Sequence, residues 1–305
     1  MRNSFRCRKV RTTKYTLFTP LQFSLICFLS ILFSSVQADT CRSWQADDVK
    51  NKNLLVGAIS IETQDIFNTQ EKKESAKLHR IVNKLHLITR ESVIRQQLLF
   101  KAGEPFKPEK LESSERLLRV NKYIKDASVI PVKLCSNRVN INVVTRDNWS
   151  LTPSISLGHS GGKKKQGISL KEQNLFGLGK ELEFKYIAGD DRDIRMIRYI
   201  DPQFLKSSKR LKALLQNNSD GKGYLFDLSL PYNDLDSKKS WSVTSSEINN
   251  NTTLYQEGEE IDKIGKEIIS HSVAYGWLKT KNKQRVKRFK VGWQYNRFNY
   301  FSPEN

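Results

Sequence analysis

Four histidines, four cysteines and the motifs around Asp147, Gly177 and Asp201 supply the residues with which this chain of 305 could do chemistry. His79, His86, His159 and His271 lie in separate segments without ligand spacing such as HExxH, so they outline no metal site. Ser270-His271-Ser272 is the one place where a nucleophile adjoins a base. In a strand, however, successive side chains point to opposite faces, and His271 would turn away from both serines. Gly177 and Gly179 are followed by no helix, so they suit a tight turn better than a phosphate cradle. Neither catalysis nor a bound cofactor is expected.

The cysteines depend on the compartment. Arg2, Arg6, Arg8, Lys9, Arg11 and Lys14 precede an apolar run from Leu21 to Val36, and no acid appears before Asp39. This is the pattern of a secretory signal, with Val36 and Ala38 as the small residues before a cut between Ala38 and Asp39. The apolar run falls short of the roughly 20 residues of a spanning helix. Export would remove Cys7 and Cys27, leaving Cys41 and Cys135 in an oxidising compartment either as a disulfide or as two free thiols. It would also remove six basic residues from a net charge of +20, leaving +14. Lys163-Lys164-Lys165 and the stretch from Lys279 to Lys290 are locally dense, which fits anionic or phosphorylated lipid head groups. No basic surface interleaved with free aromatics points to nucleic acid.

The elements that must position these residues change in period along the chain. Leu54 to Phe67 is a β-branched run, and Asn68 to Lys77 a charged connection. Thr89 caps a helix carrying Val93, Ile94, Gln97, Leu98 and Phe100, which Gly103 stops. A second helix runs from about Pro108 to Asn121, with Arg116 and Arg119 on its solvated face. Strands Ala127 to Cys135 and Arg138 to Thr145 complete a β-α-α-β-β order, helices on one face of a three-stranded sheet.

Beyond Asp147 the period becomes two. Leu151, Pro153, Ile155 and Leu157 alternate with Ser150, Thr152, Ser154 and Ser156, and similar runs follow at Leu182, Tyr224, Ile269 and Phe289. The second face carries Glu, Lys, Arg, Gln and Ser in strand after strand, and aromatics gather towards strand ends. Alternation alone also suits a soluble antiparallel sandwich, but the charged second face suits a wet lumen and the strand-end aromatics an interfacial girdle, so a transmembrane β-barrel is the better reading. Asn233 to Lys239 and Asn249 to Lys266 read as its longer polar loops, Gly158 to Gln166 and Asn217 to Gly223 as shorter ones.

These residues carry a resemblance. Leu85-His86 with Thr89-Arg90, the Leu98–Gly103 turn, Ser113–Arg119 ahead of Tyr123-Ile124, the junction Val144–Pro153, Glu172–Lys180 with Asn174, Phe176, Gly177 and Gly179, and Asp201-Pro202 together resemble the BamA/TamA superfamily of outer-membrane assembly and translocation proteins. The likeness is close from about Leu54 to Pro202 and rests only on barrel-like alternation thereafter. It implies a signal peptide over residues 1–38, a periplasmic α+β POTRA-like module over 39–148, and an antiparallel outer-membrane β-barrel over 149–305. Asp147 and Trp149 would mark the barrel junction, with Trp149 suited to the membrane interface.

The resemblance further implies insertion, assembly or translocation of outer-membrane proteins. Unfolded clients or a periplasmic partner would add strands to the module by β-augmentation, and the barrel would offer a lateral seam, with lipid and lipopolysaccharide around it. A passive pore or a phospholipase-like barrel enzyme is the alternative. Only eight or nine alternating segments follow Asn148, and neither the family's Arg-Gly-Phe/Tyr motif nor a terminal aromatic strand end is present. The expectation is therefore the N-terminal half of a sixteen-stranded barrel, a fragment, with a small closed barrel as the competing possibility.

Overall fold

The computed structural model describes residues 41–50, 53–282 and 285–302. The expected signal and the Ala38–Asp39 cut lie outside the described residues. From Cys41 onward the chain forms one compact unit containing two sheets.

The first sheet has four strands rather than the expected three. β1 (Cys41–Ser43), β2 (Leu55–Gln64), β3 (Ile124–Cys135) and β4 (Arg138–Asp147) lie in the order β1-β3-β4-β2, with β2 and β4 parallel. The extra strand is only three residues long; it pairs Cys41 opposite Cys135, and the two are joined by a disulfide.

Three helices accompany this sheet: α1 (Lys77–Leu85), α2 (Glu91–Gln97) and α3 (Pro108–Arg119). α3 forms because Pro108 pre-sets its first turn and Leu111, Ser114 and Leu118 recur at helical spacing to make its buried face. α2 ends at Gln97, well before Gly103, because Leu98 is already extended. Gly103 instead takes φ 85° and donates to the Val56 carbonyl at 2.8 Å, laying the next residues along β2. Thr89 is not a cap either, since its side chain is drawn to Asp147. α1 occupies a stretch for which the sequence suggests no element.

Arg119 is solvent-exposed on α3, yet its guanidinium also serves the sheet. Arg119 Nε donates to the Ala127 carbonyl at 3.0 Å, and Glu115 Oε2 accepts from the Val129 amide at 3.0 Å. Two side chains of α3 thus occupy groups that β3 would otherwise offer to another strand.

The second sheet is a nine-stranded antiparallel meander: β5 (Leu151–Ser160), β6 (Lys163–Glu172), β7 (Glu181–Gly189), β8 (Ile194–Phe204), β9 (Lys209–Asn218), β10 (Gly221–Leu230), β11 (Lys239–Gln256), β12 (Glu259–Lys281) and β13 (Val286–Phe301). Strands β5 to β10 have nine to eleven residues, the length that crosses a bilayer at a tilt. β5 and β13 are the edges, and no closed barrel forms among the described residues.

Asn249 to Lys266 is not a loop. β11 and β12 run through it to a two-residue turn, where Glu257 and Gly258 have φ of 53° and 92°, the conformation that matches strand twist.

Every buried hydrophobic side chain among the described residues lies between Leu54 and Val143. The nine-stranded sheet buries polar residues instead, including Asn174, Glu183, Asp201 and Asn218, and leaves Ile155 and Leu157 each 81% exposed. One face repeats Pro153, Leu170, Phe184, Ile197, Leu215 and Tyr224 across successive strands. It continues into aromatic stacks such as Trp277 on Phe289.

Candidate functional site

The two sheets are joined by three residues, Asn148 to Ser150, and the motif residues converge on that joint. Asp147 ends β4 and is fully buried. Its Oδ2 accepts from the Thr89 amide at 2.7 Å and the Thr89 hydroxyl at 2.9 Å, and lies 2.8 Å from His86 Nε2. The connector between α1 and α2 is thereby tied to the last residue of β4.

Asn174, in the β6–β7 turn, continues the chain of bonds. Its Nδ2 donates to Thr89 Oγ1 at 2.9 Å, and its Oδ1 accepts the Gly179 amide at 2.8 Å. The Arg90 amide donates to the Gly177 carbonyl at 3.0 Å. Gly177 and Gly179 have φ of 71° and 65°, so both glycines are conformationally required. Space demands them as well: a Cβ on Gly177 would lie 2.5 Å from the Ile88 carbonyl oxygen, and one on Gly179 would lie 2.6 Å from the Tyr123 hydroxyl. Phe176, immediately before Gly177, is 62% exposed.

Tyr123 closes the hub. Its hydroxyl accepts from Gln97 Nε2 at 2.9 Å, and Gln97 Oε1 in turn accepts from Asn121 Nδ2 at 2.6 Å. Burial pushes the phenol up to about 12, so it stays neutral. Asp201 forms a second anchor: it lies 3.1 Å from Lys180 Nζ, and this hydrogen bond raises the lysine's pKa. Asp201 Oδ1 accepts the Gln203 amide at 3.0 Å across a bulge that contains Pro202. Gln203 Nε2 reaches the Val93 carbonyl of α2 at 3.2 Å. Trp149 sits beside the hub, 40% exposed.

Asp147, Asn174, Gly177 and Gly179 thus meet at one place, with Asp201 and Pro202 at a neighbouring contact. His86, Thr89, Gln97 and Tyr123 complete the hub. In the sequence His86 and Tyr123 stand out only as family matches, and Thr89 as a cap. A polar residue breaking an otherwise apolar stretch was their one available signal. The hub exposes no nucleophile to solvent; its chemistry is positional, with charge-assisted hydrogen bonds fixing one layer on the other.

Its cost is visible nearby. Asp65 Oδ1 and Asp147 Oδ1 are buried without a hydrogen-bond partner among the described residues. Burial pushes the Asp65 carboxyl above its ordinary 3.8, Asp147 adds to the rise and His86 opposes it. The native state therefore holds this proton more tightly than the unfolded chain does. The group's favourable contribution is present below the unfolded value and is lost as pH rises through the raised folded one. Asp65→Asn is expected to raise stability at neutral pH by about 0.5–1 kcal/mol and to leave it unchanged in acid. Urea midpoints at the two pH values test this, and equal shifts at both would count against it.

Among the described residues no three His, Cys, Asp or Glu side chains gather as cation ligands. His271 shares a hydrogen bond of 3.1 Å with Ser245 on the neighbouring strand and stacks on Tyr295. No carboxylate bonds to it among the described residues. A cavity of about 1100 Å³ lies over the apolar face, and no histidine or cysteine lines it.

No family model matches the sequence, and neither does any curated protein. Solved structures do. BamA from Haemophilus ducreyi lacking POTRA domains 1–3 is 12% identical with a TM-score of 0.47, the match covering 93% of this chain and 59% of that one. CdiB from Acinetobacter baumannii is 12% identical with a TM-score of 0.45, covering 85% of this chain and 50% of that one. The chain therefore spans little more than half the length of these structures.

Proposed function

We propose that this chain is an outer-membrane β-barrel protein of the BamA/TamA type, which accepts extended client segments on a periplasmic POTRA-like module and passes them to the edge of a membrane sheet. The observation that carries this reading is the inverted burial of the nine-stranded sheet. A sheet that buries polar side chains and presents isoleucine, leucine and tryptophan outward is poorly suited to water. It suits lipid, where backbone groups are satisfied by strand pairing and the apolar face needs no protein cover. The motifs from Leu54 to Pro202 support the family assignment, and their convergence on one hub gives them a common role.

The client's place on the module follows from the edges. β3 is covered by β1 at one end and by Arg119 and Glu115 further along. β2 is covered over Leu54 to Val56 by residues 103–106, and its Ile59 carbonyl accepts from Arg95. Beyond Ile59 no neighbouring backbone lies against its outer edge among the described residues. An incoming strand would pair there, with few demands on its side chains.

The test is a photocrosslinker at Glu62 on β2, compared with one at Ile130 on β3, in the presence of an unfolded outer-membrane barrel protein. Crosslinks from Glu62 and none from Ile130 are expected. Equal labelling, or none from Glu62, would refute the proposed route. The phospholipase-like alternative has one observation in its favour, the Ser245–His271 contact. It predicts lipase activity lost on Ser245→Ala, whereas the assembly reading predicts none to lose.

A further inference from the structure

α1 is amphipathic, yet it is mounted the wrong way round for a water-soluble domain. Leu78, Ile81, Val82 and Leu85 form one stripe at helical spacing, and an ordinary surface helix would turn such a stripe inward. Here the helix is held by its polar side. His79 stacks on Phe67 with ring centres 4.1 Å apart. Asn83 exchanges two hydrogen bonds with the backbone of Phe67, at 2.7 and 3.1 Å. Leu78, Ile81 and Leu85 are left 66%, 54% and 71% exposed, and no residue of the helix is buried. The flank beside the apolar stripe carries Lys77, Arg80 and Lys84, and the helix contains no acid.

Two further observations say what covers this stripe. The first is charge: a short basic helix with a free apolar side has the composition of an in-plane membrane anchor, with leucines at the acyl boundary and lysines among anionic head groups. The second is position. Asn174 of the β6–β7 turn donates to the Leu87 carbonyl at 3.4 Å, two residues beyond the end of α1. Leu87 and Ile88 are themselves 57% and 40% exposed; Gly177 of the same turn packs against the Ile88 carbonyl, and its neighbour Phe176 is also exposed. The free apolar surface thus runs from the helix to the rim of the membrane strands. At about 1.5 Å per residue α1 is only about 13 Å long, so it cannot reach far from that rim.

We infer that α1 lies in the periplasmic leaflet of the bilayer beside the β6–β7 turn, with Leu78, Ile81 and Leu85 in the acyl boundary and Lys77, Arg80 and Lys84 at anionic phospholipid head groups. This rests on the reading that the nine-stranded sheet spans a membrane. The helix is then a second attachment of the α+β layer to the membrane, independent of the hub, and would restrain the tilt of β2 relative to the bilayer.

The experiment uses the full chain, disulfide intact, in nanodiscs of phosphatidylethanolamine and phosphatidylglycerol. Nitroxides are placed singly at Ile81→Cys and Leu85→Cys, with Glu62→Cys as the aqueous reference and Ile155→Cys as the lipid reference; all four side chains are exposed, so the fold is left intact. Accessibility to oxygen and to a water-soluble nickel chelate is measured at each. The expected result is that Ile81 and Leu85 favour oxygen over nickel, as Ile155 does. Nickel accessibility at Ile81 and Leu85 matching that at Glu62, with Ile155 still in lipid, would overturn the inference and leave the membrane reading standing. Protection from both reagents would overturn it in favour of a protein partner on the stripe. Nickel accessibility at Ile155 itself would overturn the membrane reading beneath it.

Discussion

Asp147→Ala is expected to lower the unfolding free energy by about 3–5 kcal/mol, because several buried polar groups lose their partner at about 1–3 kcal/mol each. Asp147 Oδ2 serves the Thr89 amide, the Thr89 hydroxyl and His86 together. His86 is 8% exposed and Thr89 1%, so water cannot readily replace what the carboxylate supplied. The damage should spread, because Thr89 Oγ1 is also the acceptor for Asn174 and, through it, for the β6–β7 turn. Asp147→Asn keeps the shape and one acceptor oxygen but loses the charge, and about 1–2 kcal/mol is expected. Chemical denaturation of the oxidised chain in detergent, followed by circular dichroism, measures both. Similar small losses for the two variants would show that the buried charge does not organise the hub.

Gly179→Ala carries the second large effect, about 2–4 kcal/mol, from two sources that can be separated. A left-handed backbone costs a non-glycine residue about 1 kcal/mol, and overpacking a tight site adds about 1–3 kcal/mol. At Gly179 the new methyl would stand 2.6 Å from the Tyr123 hydroxyl and 2.9 Å from Val93 Cγ1. Gly258 supplies the comparison, with φ of 92° and nothing within 4 Å of an added Cβ. Gly258→Ala should therefore show the backbone cost alone, about 1 kcal/mol. Adding Tyr123→Phe to Gly179→Ala removes the clashing oxygen and should recover part of the loss. If the Gly179 and Gly258 variants lose equally, the hub is not packed as tightly as described.

The division into an α+β layer and a long alternating sheet could be read from hydrophobic period, because a pleated sheet with two unlike faces and a helix packed on a core each impose a repeat on their side chains. Asn249 to Lys266 escaped this reading because strands that continue beyond the apolar belt pair through backbone alone, and Asn250, Asn251, Thr252 and Thr253 then look like a loop. Thr89 was misread for a related reason. Local sequence favours a cap, and only the distant Asp147, fifty-eight residues away, draws the hydroxyl elsewhere. Gly103 reads as the helix stop, but α2 ends at Gln97 and Gly103 serves the edge of β2 instead. The hub itself was visible as separate motifs and not as a site, since nothing in the spacing of His86, Thr89, Asp147 and Asn174 shows that they meet. Arg119 is solvent-facing as its helical position implies, and only the open backbone of β3 adds a structural role to it.

On the proposed reading, the edge of β2 that accepts clients is held at a fixed place relative to the nine-stranded sheet by the buried polar hub. Pulsed dipolar spectroscopy between nitroxides at Glu62 on β2 and Ser156 on β5, in nanodiscs, tests that claim directly. One narrow distance distribution is predicted for the unaltered hub, broadening when Asp147→Ala is introduced. A distribution already broad with the hub intact, or one that stays narrow without Asp147, would contradict it.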